Sequence, residues 1–329
     1  MNKVGILTFT YGDNFGQRLQ NLALQEVITR LGFDVYTIPQ ILPLNYKINN
    51  IERHSIFETF DKNYIKYYCE PIGDNYTPNG IDDFKFFVAG SDQIWSPISK
   101  DVNKTFFLRF APRYKRIAYA PSISTSKIPL RKSIIYFKYI NGFRKLSVRE
   151  YKAKNILKKI TNKSISVLID PTLMFDASFW KKYEKKPNYN VPSNFILYYG
   201  LGDNDESQYI KDLAKDMECD YIILREGNKK FNIGPSEFLY LIDNASAIAT
   251  DSYHGTVFSI IYNKKLYYIK RKNNNIDMSD RFETLFYKLG ISLDQNSAVK
   301  FDYDKVKEKL NTEREESIKF LQKGLKCNI

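Results

Sequence analysis

At 329 residues the chain is too long for one small core and suits two domains of ordinary size. Its 43% hydrophobic and 15% aromatic content argues for a well-packed protein rather than a disordered one, and no apolar run of about 18 residues is present to span a membrane. The formal charge of +13 points to an anionic partner: nucleic acid, a membrane surface or a small anionic substrate.

Residues 4–9 form a continuous apolar run that reads as a strand. A polar loop over 10–16 leads into an amphipathic helix over 17–31, with Leu19, Leu22, Ala23, Val27, Ile28 and Leu31 at helical spacing. Gly32 ends this helix, and 33–38 is the next strand. Strand, loop, helix and strand in that order predict a parallel sheet. The loop carries neither GxGxxG nor a Walker sequence, so a nucleotide fingerprint is not supported. Asp13, Asn14 and Gln17 still fall beyond the strand's carboxyl end, where open α/β sheets place ligands. Residues 39–80 read as irregular, and His54 within them as a surface residue.

A strand over 83–89 is left by the turn GSDQIW at 90–95, whose Asp92 either caps a helix or holds a substrate hydroxyl. Further strands are expected at 116–120, 145–148 and 164–169, making six with helices between them, a Rossmann-like unit. Arg149 and Glu150 stand at the end of the fifth, before a basic helix over 151–159, and Asp170-Pro171-Thr172 closes the sixth. Residues 181–193, charged and bearing Pro187 and Pro192, read as a linker between domains at 1–180 and 194–329.

The alternation then restarts. Strands are expected at 195–199, 220–224 (with Arg225 at its end), 246–250 and 266–269. Helices are expected at 203–217, 235–244, 255–262 and 279–289. A final charged helix over 304–326 has a thin apolar stripe suited to packing back on the first domain. His254 sits where the loop after 246–250 becomes a helix. Helix starts present unpaired N–H groups and a partial positive charge, a natural seat for phosphate or carboxylate. A histidine there either stabilises an anion and trades a proton with it, or caps its own helix and packs. Two such halves imply a cleft into which Asp13, Asp92, Arg149, Arg225 and His254 converge from strand ends.

Cys69, Cys219 and Cys327 form neither a metal spacing nor a disulfide framework, which suits a reducing compartment. With a strand already forming at MNKVGILTF and no apolar signal core before it, the expected location is the cytoplasm. Charge is concentrated: residues 127–163 hold twelve Lys or Arg and one acid, Glu150, a net of +11. A second basic run comprises Lys264, Lys265, Lys270, Arg271 and Lys272. No aromatic RNA-binding motif, zinc spacing or basic zipper accompanies them, so anionic membrane or substrate is expected and nucleic acid is not.

Several stretches together resemble the polysaccharide pyruvyl transferase family: DNFGQRLQNLAL at 13–24, FVAGSDQIW at 87–95, SVRE at 147–150, DPTLMF at 170–175, TDSYHGTVFSIIYNKKLYYI at 250–269 and SDRFETLFYKLGI at 279–291. The resemblance implies two Rossmann-like domains with parallel sheets facing a central cleft, as in GT-B glycosyltransferases. It also implies transfer of pyruvate from phosphoenolpyruvate to a sugar hydroxyl pair as a ketal, in capsule or exopolysaccharide synthesis; the sequence carries no metal-ligand cluster, so no metal or cofactor is expected. By that pattern His254 is the acid/base or phosphate contact, with helix-start donors at Gly255 and Thr256, and Arg149 grips carboxylate or phosphate. Asp92 and Asp13 orient sugar hydroxyls, with Asn14 and Gln17 beside them, and Arg281 and Arg225 are the remaining anion ligands. The acceptor it implies is a sugar or lipid-linked oligosaccharide, expected to be met at the inner membrane face. The chain departs from the family at Ser252 and Tyr253, where members often carry Arg-Leu, leaving Arg225, Arg281 or Lys270 to supply the cation. A GT-B-like glycosyltransferase using a nucleotide sugar and a non-catalytic sugar-binding relative are the alternatives.

Overall fold

The computed structural model describes residues 2–43, 46–98, 102–125, 127–202, 206–225, 232–271, 279–293 and 298–326. The first half runs β1 (Lys3–Leu7), α1 (Phe15–Arg30), β2 (Asp34–Thr37), α2 (Ile51–Tyr64), β3 (Phe86–Ala89), β4 (Arg116–Ala118), α3 (Leu130–Ile140), β5 (Lys145–Val148), α4 (Tyr151–Lys158) and β6 (Ser166–Val167). Its strands pair in parallel in the order β2-β1-β3-β4-β5-β6. A short helix, α5 (Ala177–Trp180), leads to the second half: β7 (Phe195–Gly200), α6 (Ser207–Asp216), β8 (Asp220–Arg225), α7 (Pro235–Asn244), β9 (Ala247–Thr250), α8 (Tyr253–Ile261), β10 (Lys265–Tyr268), α9 (Asp280–Leu289), β11 (Ser292–Leu293), β12 (Ala298–Lys300) and α10 (Tyr303–Leu325). Here β8-β7-β9-β10 are parallel, and β12 and β11 extend the sheet antiparallel beyond β10. The expected α/β architecture of two mainly parallel sheets is the one observed.

Helices cover both faces of such sheets, so the strands are continuous apolar runs, as in β3 and β7, which are buried throughout. One apolar core fills the space between the sheets and takes residues from both, among them Val4, Phe15, Phe57, Trp180, Phe238 and Phe258. The outer faces have their own cores, around Trp95, Phe107 and Phe143 in the first half and Tyr198 and Ile210 in the second. The final helix α10 crosses back to the first half. Arg314 Nε donates to Leu173 O at 2.7 Å, Phe320 packs on Tyr119 with ring centroids 6.5 Å apart, and Ile117 lies against Gly324.

Two expectations about the stretch at 39–80 need correcting. The stretch at 39–80 contains α2, capped by Asn50 Oδ1 accepting from Arg53 N at 3.1 Å. Only Phe57 and Phe60 of α2 are buried, so its apolar period is too sparse to show in the sequence. His54, on α2, is no bare surface residue: its Nδ1 lies 2.8 Å from Asp13 Oδ1. The connector over 181–193 is tied down at its start, where Lys181 pairs with Asp243 at 2.8 Å and Glu184 accepts from Tyr262 Oη at 2.7 Å.

Candidate functional site

In an open parallel sheet the chain leaves to opposite faces on either side of one point, and the diverging loops leave a crevice there. In the first sheet that point lies between β1 and β3, and in the second between β7 and β9. The loops concerned carry Asp13 and Asn14, the turn at 90–95, and Asp251-Ser252 leading into His254. The two crevices meet. A Cβ on Gly16, in the first turn of α1, would sit 2.0 Å from His254 Nδ1, so only glycine lets the starts of α1 and α8 come this close.

The centre of the meeting point is Asp170, fully buried at the end of the first half's sheet. Its Oδ2 accepts from Arg149 Nη1 at 2.7 Å and from Ser91 Oγ at 2.9 Å, and lies 3.6 Å from His254 Nε2. Its Oδ1 accepts from Thr172 N at 3.0 Å and Thr172 Oγ1 at 2.7 Å. Burial alone would raise the carboxyl's pKa, but His254, Arg149 and Thr172 outweigh it and hold the group far below the usual carboxylate range. Asp170 therefore stays ionised and links a cation of the first half to the histidine of the second.

Around this pair two more charged groups are buried. Arg149 Nε and Nη2 donate no hydrogen bond, and Nε is 3.7 Å from Glu150 Oε1. Glu150 is itself buried, and neither carboxyl oxygen has a hydrogen-bond partner. Burial pushes its pKa up, against the opposing pull of the Arg149 and Arg281 charges. Arg281 arrives from the other half. Its helix α9 rests on α4, where Lys152 Nζ donates to Asp280 Oδ1 at 2.8 Å and Tyr151 N donates to Thr284 Oγ1 at 3.2 Å. The amide oxygen of Gln93, oriented as its surroundings require, accepts from Arg281 Nη1 at 2.6 Å and Nη2 at 3.2 Å. Burial, then repulsion from Arg149, push the Arg281 guanidinium down to about 10. Tyr253 lies between the two arginines, with guanidinium carbons 4.4 Å (Arg149) and 5.7 Å (Arg281) from its ring centre.

Asp92 belongs to the same cluster, its charge acting on both Arg149 and Arg281. It is held at φ +85°, an uncommon conformation for a residue with a side chain, by a main-chain bond from Ser122 N to Asp92 O at 2.7 Å. Its own Oδ1 accepts from Gln93 N at 2.8 Å, a turn rather than a helix cap.

The start of α8 differs from expectation in its donors. Ser252 is the N-cap, its Oγ accepting from Gly255 N at 3.3 Å, while Thr256 N donates to Ser252 O at 2.9 Å. The main-chain N–H groups of Gly255 and Thr256 are thus already engaged. What Thr256 offers instead is its hydroxyl, buried and without a hydrogen-bond partner. Gly255 has a steric role as well, since a Cβ there would meet Thr250 Oγ1 at 2.5 Å. Of the three cations considered to replace the arginine absent at Ser252, Arg281 is the one beside Tyr253 and Arg149. Arg225 lies elsewhere, its Nη2 donating to Gly202 O at 3.4 Å near the Asp251 carboxylate that Leu201 N and Gly202 N hold at 2.7 Å. Lys270 is exposed.

At the first crevice, Asn14 Oδ1 caps α1 by accepting from Gln17 N at 3.1 Å, and Asp13 is occupied by His54. Gln17 Oε1 is buried with no hydrogen-bond partner. Asp170 and Glu150 are the site members that sequence reasoning passed over. The signal available for both was position, at the ends of the sixth and fifth strands, inside DPTLMF and SVRE.

Among solved structures, this chain is similar to UDP-GlcNAc 2-epimerases. That of Methanocaldococcus jannaschii has a TM-score of 0.52 at 13% identity, covering 94% of this chain and 92% of that one. The Neisseria meningitidis enzyme gives 0.52 at 11% identity, with coverage of 98% and 94%. The Rickettsia bellii enzyme gives 0.50 at 13%, with coverage of 96% and 88%. At such identities the likeness shows the GT-B-like fold alone. No curated protein matches the sequence significantly. The family model for polysaccharide pyruvyl transferase matches residues 14–273, which include every buried group of the cluster except Arg281. With the match spanning most of its length, the chain belongs to the polysaccharide pyruvyl transferase family.

Proposed function

We propose that the protein transfers pyruvate from phosphoenolpyruvate to a pair of sugar hydroxyls as a ketal, releasing phosphate, in synthesis of a surface polysaccharide. The observation that supports this reading is the pair of buried arginines, Arg149 and Arg281, brought from opposite halves to the two sides of Tyr253. A small dianionic substrate suits two such guanidinium groups, and phosphoenolpyruvate carries a carboxylate and a phosphate on three carbons.

The chemistry asks for a proton, a general base and a place for phosphate. Protonation of the substrate's methylene carbon makes the neighbouring carbon electrophilic, and a sugar hydroxyl adds to it, giving up its proton. The C–O bond to phosphate then breaks with both electrons going to phosphate, and the second hydroxyl closes the ketal, its proton passing to the released phosphate. Glu150, whose pKa is raised by burial, is the candidate acid for the first step. His254, 3.6 Å from Asp170, takes a hydroxyl proton or donates to the departing phosphate. Asp92 and Asp13 are the groups for sugar hydroxyls, with Asn14, Gln17 and the Thr256 hydroxyl at the cleft walls.

The test is thermal stabilisation of the full chain by ligand. Phosphoenolpyruvate should raise the Tm of the wild type but not of Arg149→Met or His254→Ala, and Arg281→Met should weaken the effect. Stabilisation by nucleoside diphosphates and their sugars, with none by phosphoenolpyruvate, would overturn the reading in favour of a glycosyltransferase. A response to sugars alone would favour a non-catalytic role.

A further inference from the structure

The helix α3 carries an apolar stripe that no part of the described chain covers. Leu130, Ile134 and Phe137, one turn apart on a single face, are 86%, 78% and 54% exposed. Ile135 and Ile98 add to the patch. The helix itself is firmly seated: Tyr136 and Ile140 are buried in the outer core, Tyr136 Oη donates to Trp95 O at 2.8 Å, and Lys132 Nζ donates to Pro97 O at 2.8 Å. A groove of about 750 Å³ runs beside the stripe, lined by Ile134, Phe137 and Ile160 and by Lys158, Lys159 and Lys163. Lys127, Arg131, Lys138, Lys158 and Lys159 are exposed around it, and among the described residues none of the five has a carboxylate within 4.0 Å.

We infer that this face docks on an anionic lipid bilayer, with Leu130, Ile134 and Phe137 entering the headgroup–acyl boundary and the lysines and Arg131 contacting lipid phosphates. Charge selects the occupant. Residues 127–163 carry a net +11, so a second copy of the chain seated on the same patch would bring like charges together, whereas an anionic surface neutralises them. Apolar residues on one helical face with basic ones beside them are the pattern of an interfacial helix, and here the pattern is preformed on a folded domain. The helix begins five residues after the loop over 121–125, whose Ser122 N is bonded to Asp92 O at 2.7 Å, so docking on α3 orients the cleft relative to the membrane. This holds whichever donor the cleft takes.

The experiment is co-sedimentation of the full chain with phosphatidylcholine vesicles, with and without phosphatidylglycerol, in the absence of substrate. Wild type should bind the phosphatidylglycerol vesicles, and bind less as salt rises. The triple variant L130S/I134S/F137S should lose binding by at least about tenfold while keeping the wild-type Tm, because its side chains are exposed in the free protein. Lys158→Glu with Lys159→Glu should also lose it. Absence of wild-type binding, or a triple variant that binds as well as wild type, would overturn the inference. A concentration-dependent dimer in sedimentation velocity that the triple variant abolishes would overturn it too, by assigning the stripe to a second copy.

Discussion

Asp170 joins Arg149 and His254 into one electrostatic unit, and its removal takes from a buried cation the carboxylate it is hydrogen-bonded to. Asp170→Asn is expected to destabilise the fold by about 3–5 kcal/mol at neutral pH, read from denaturant unfolding. The sign of its pH dependence follows from a carboxyl held below its ordinary range in the folded state. Its stabilisation is complete above about pH 4 and is lost as pH falls further, so wild type and Asp170→Asn should converge in acid. Glu150 has the opposite sign. Its folded-state pKa is raised, so ionisation opposes folding as pH climbs past the ordinary glutamate range of about 4. Glu150→Gln should therefore gain stability relative to wild type as pH rises above about 4, and under the proposed mechanism lose turnover by at least about a hundredfold. A variant no more stable at neutral pH than in acid would count against a buried, proton-holding Glu150. These two residues show where sequence reading stopped. Arg149, His254, Asp92 and Arg281 stand out in the chain as charged groups at strand ends or helix starts. What separates Asp170 and Glu150 from a surface acid is burial beside Arg149 and a partner in the other half, His254 for Asp170 and Arg281 for Glu150, each far away in the sequence.

At the level of elements, the strands and most helices were legible because each carries one clear period and ends at a glycine, proline or polar turn. The short β11 and β12, α5 and the helix α3 went unread, and so did α2, which is stabilised by two phenylalanines and a cap and whose place was decided by packing on α7 rather than by pattern. The approach of α1 to α8 was not legible either, since glycine in a helix carries no sign of what touches it. Gly16→Ala measures that approach. In an isolated helix this change is stabilising by up to about 1 kcal/mol. Here the new methyl overlaps His254, so a net destabilisation of about 1–3 kcal/mol is expected, with the imidazole displaced from Asp170. Unchanged or increased Tm would mean that the two helix starts are further apart than 2.0 Å of methyl contact allows. Ser252→Ala, which removes only the cap of α8, should cost less, about 1 kcal/mol.

For the whole molecule, two halves with parallel sheets were readable from the restart of the strand–helix alternation, but the sequence did not show that they share a core. The shared core decides how the protein unfolds. Phe15, in the first turn of α1, stacks on Phe57 at 5.5 Å within its own half and on Phe238 at 4.6 Å in the other, and it also meets Tyr199 at 5.5 Å. Two independently folding domains would each lose stability separately, giving two transitions, and a mutation in one would leave the other in place. A core common to both predicts one cooperative transition. Phe15→Ala opens a cavity between three aromatic rings and should destabilise that single transition by about 3–5 kcal/mol, followed by calorimetry with fluorescence as a second probe. Because His254 is placed by the same contact between halves, the variant should also weaken ligand stabilisation at the cleft, even though Phe15 is itself buried. Two resolved transitions in wild type, or a Phe15→Ala effect confined to one of them, would show that the halves unfold independently and that the cleft is not held by their common core.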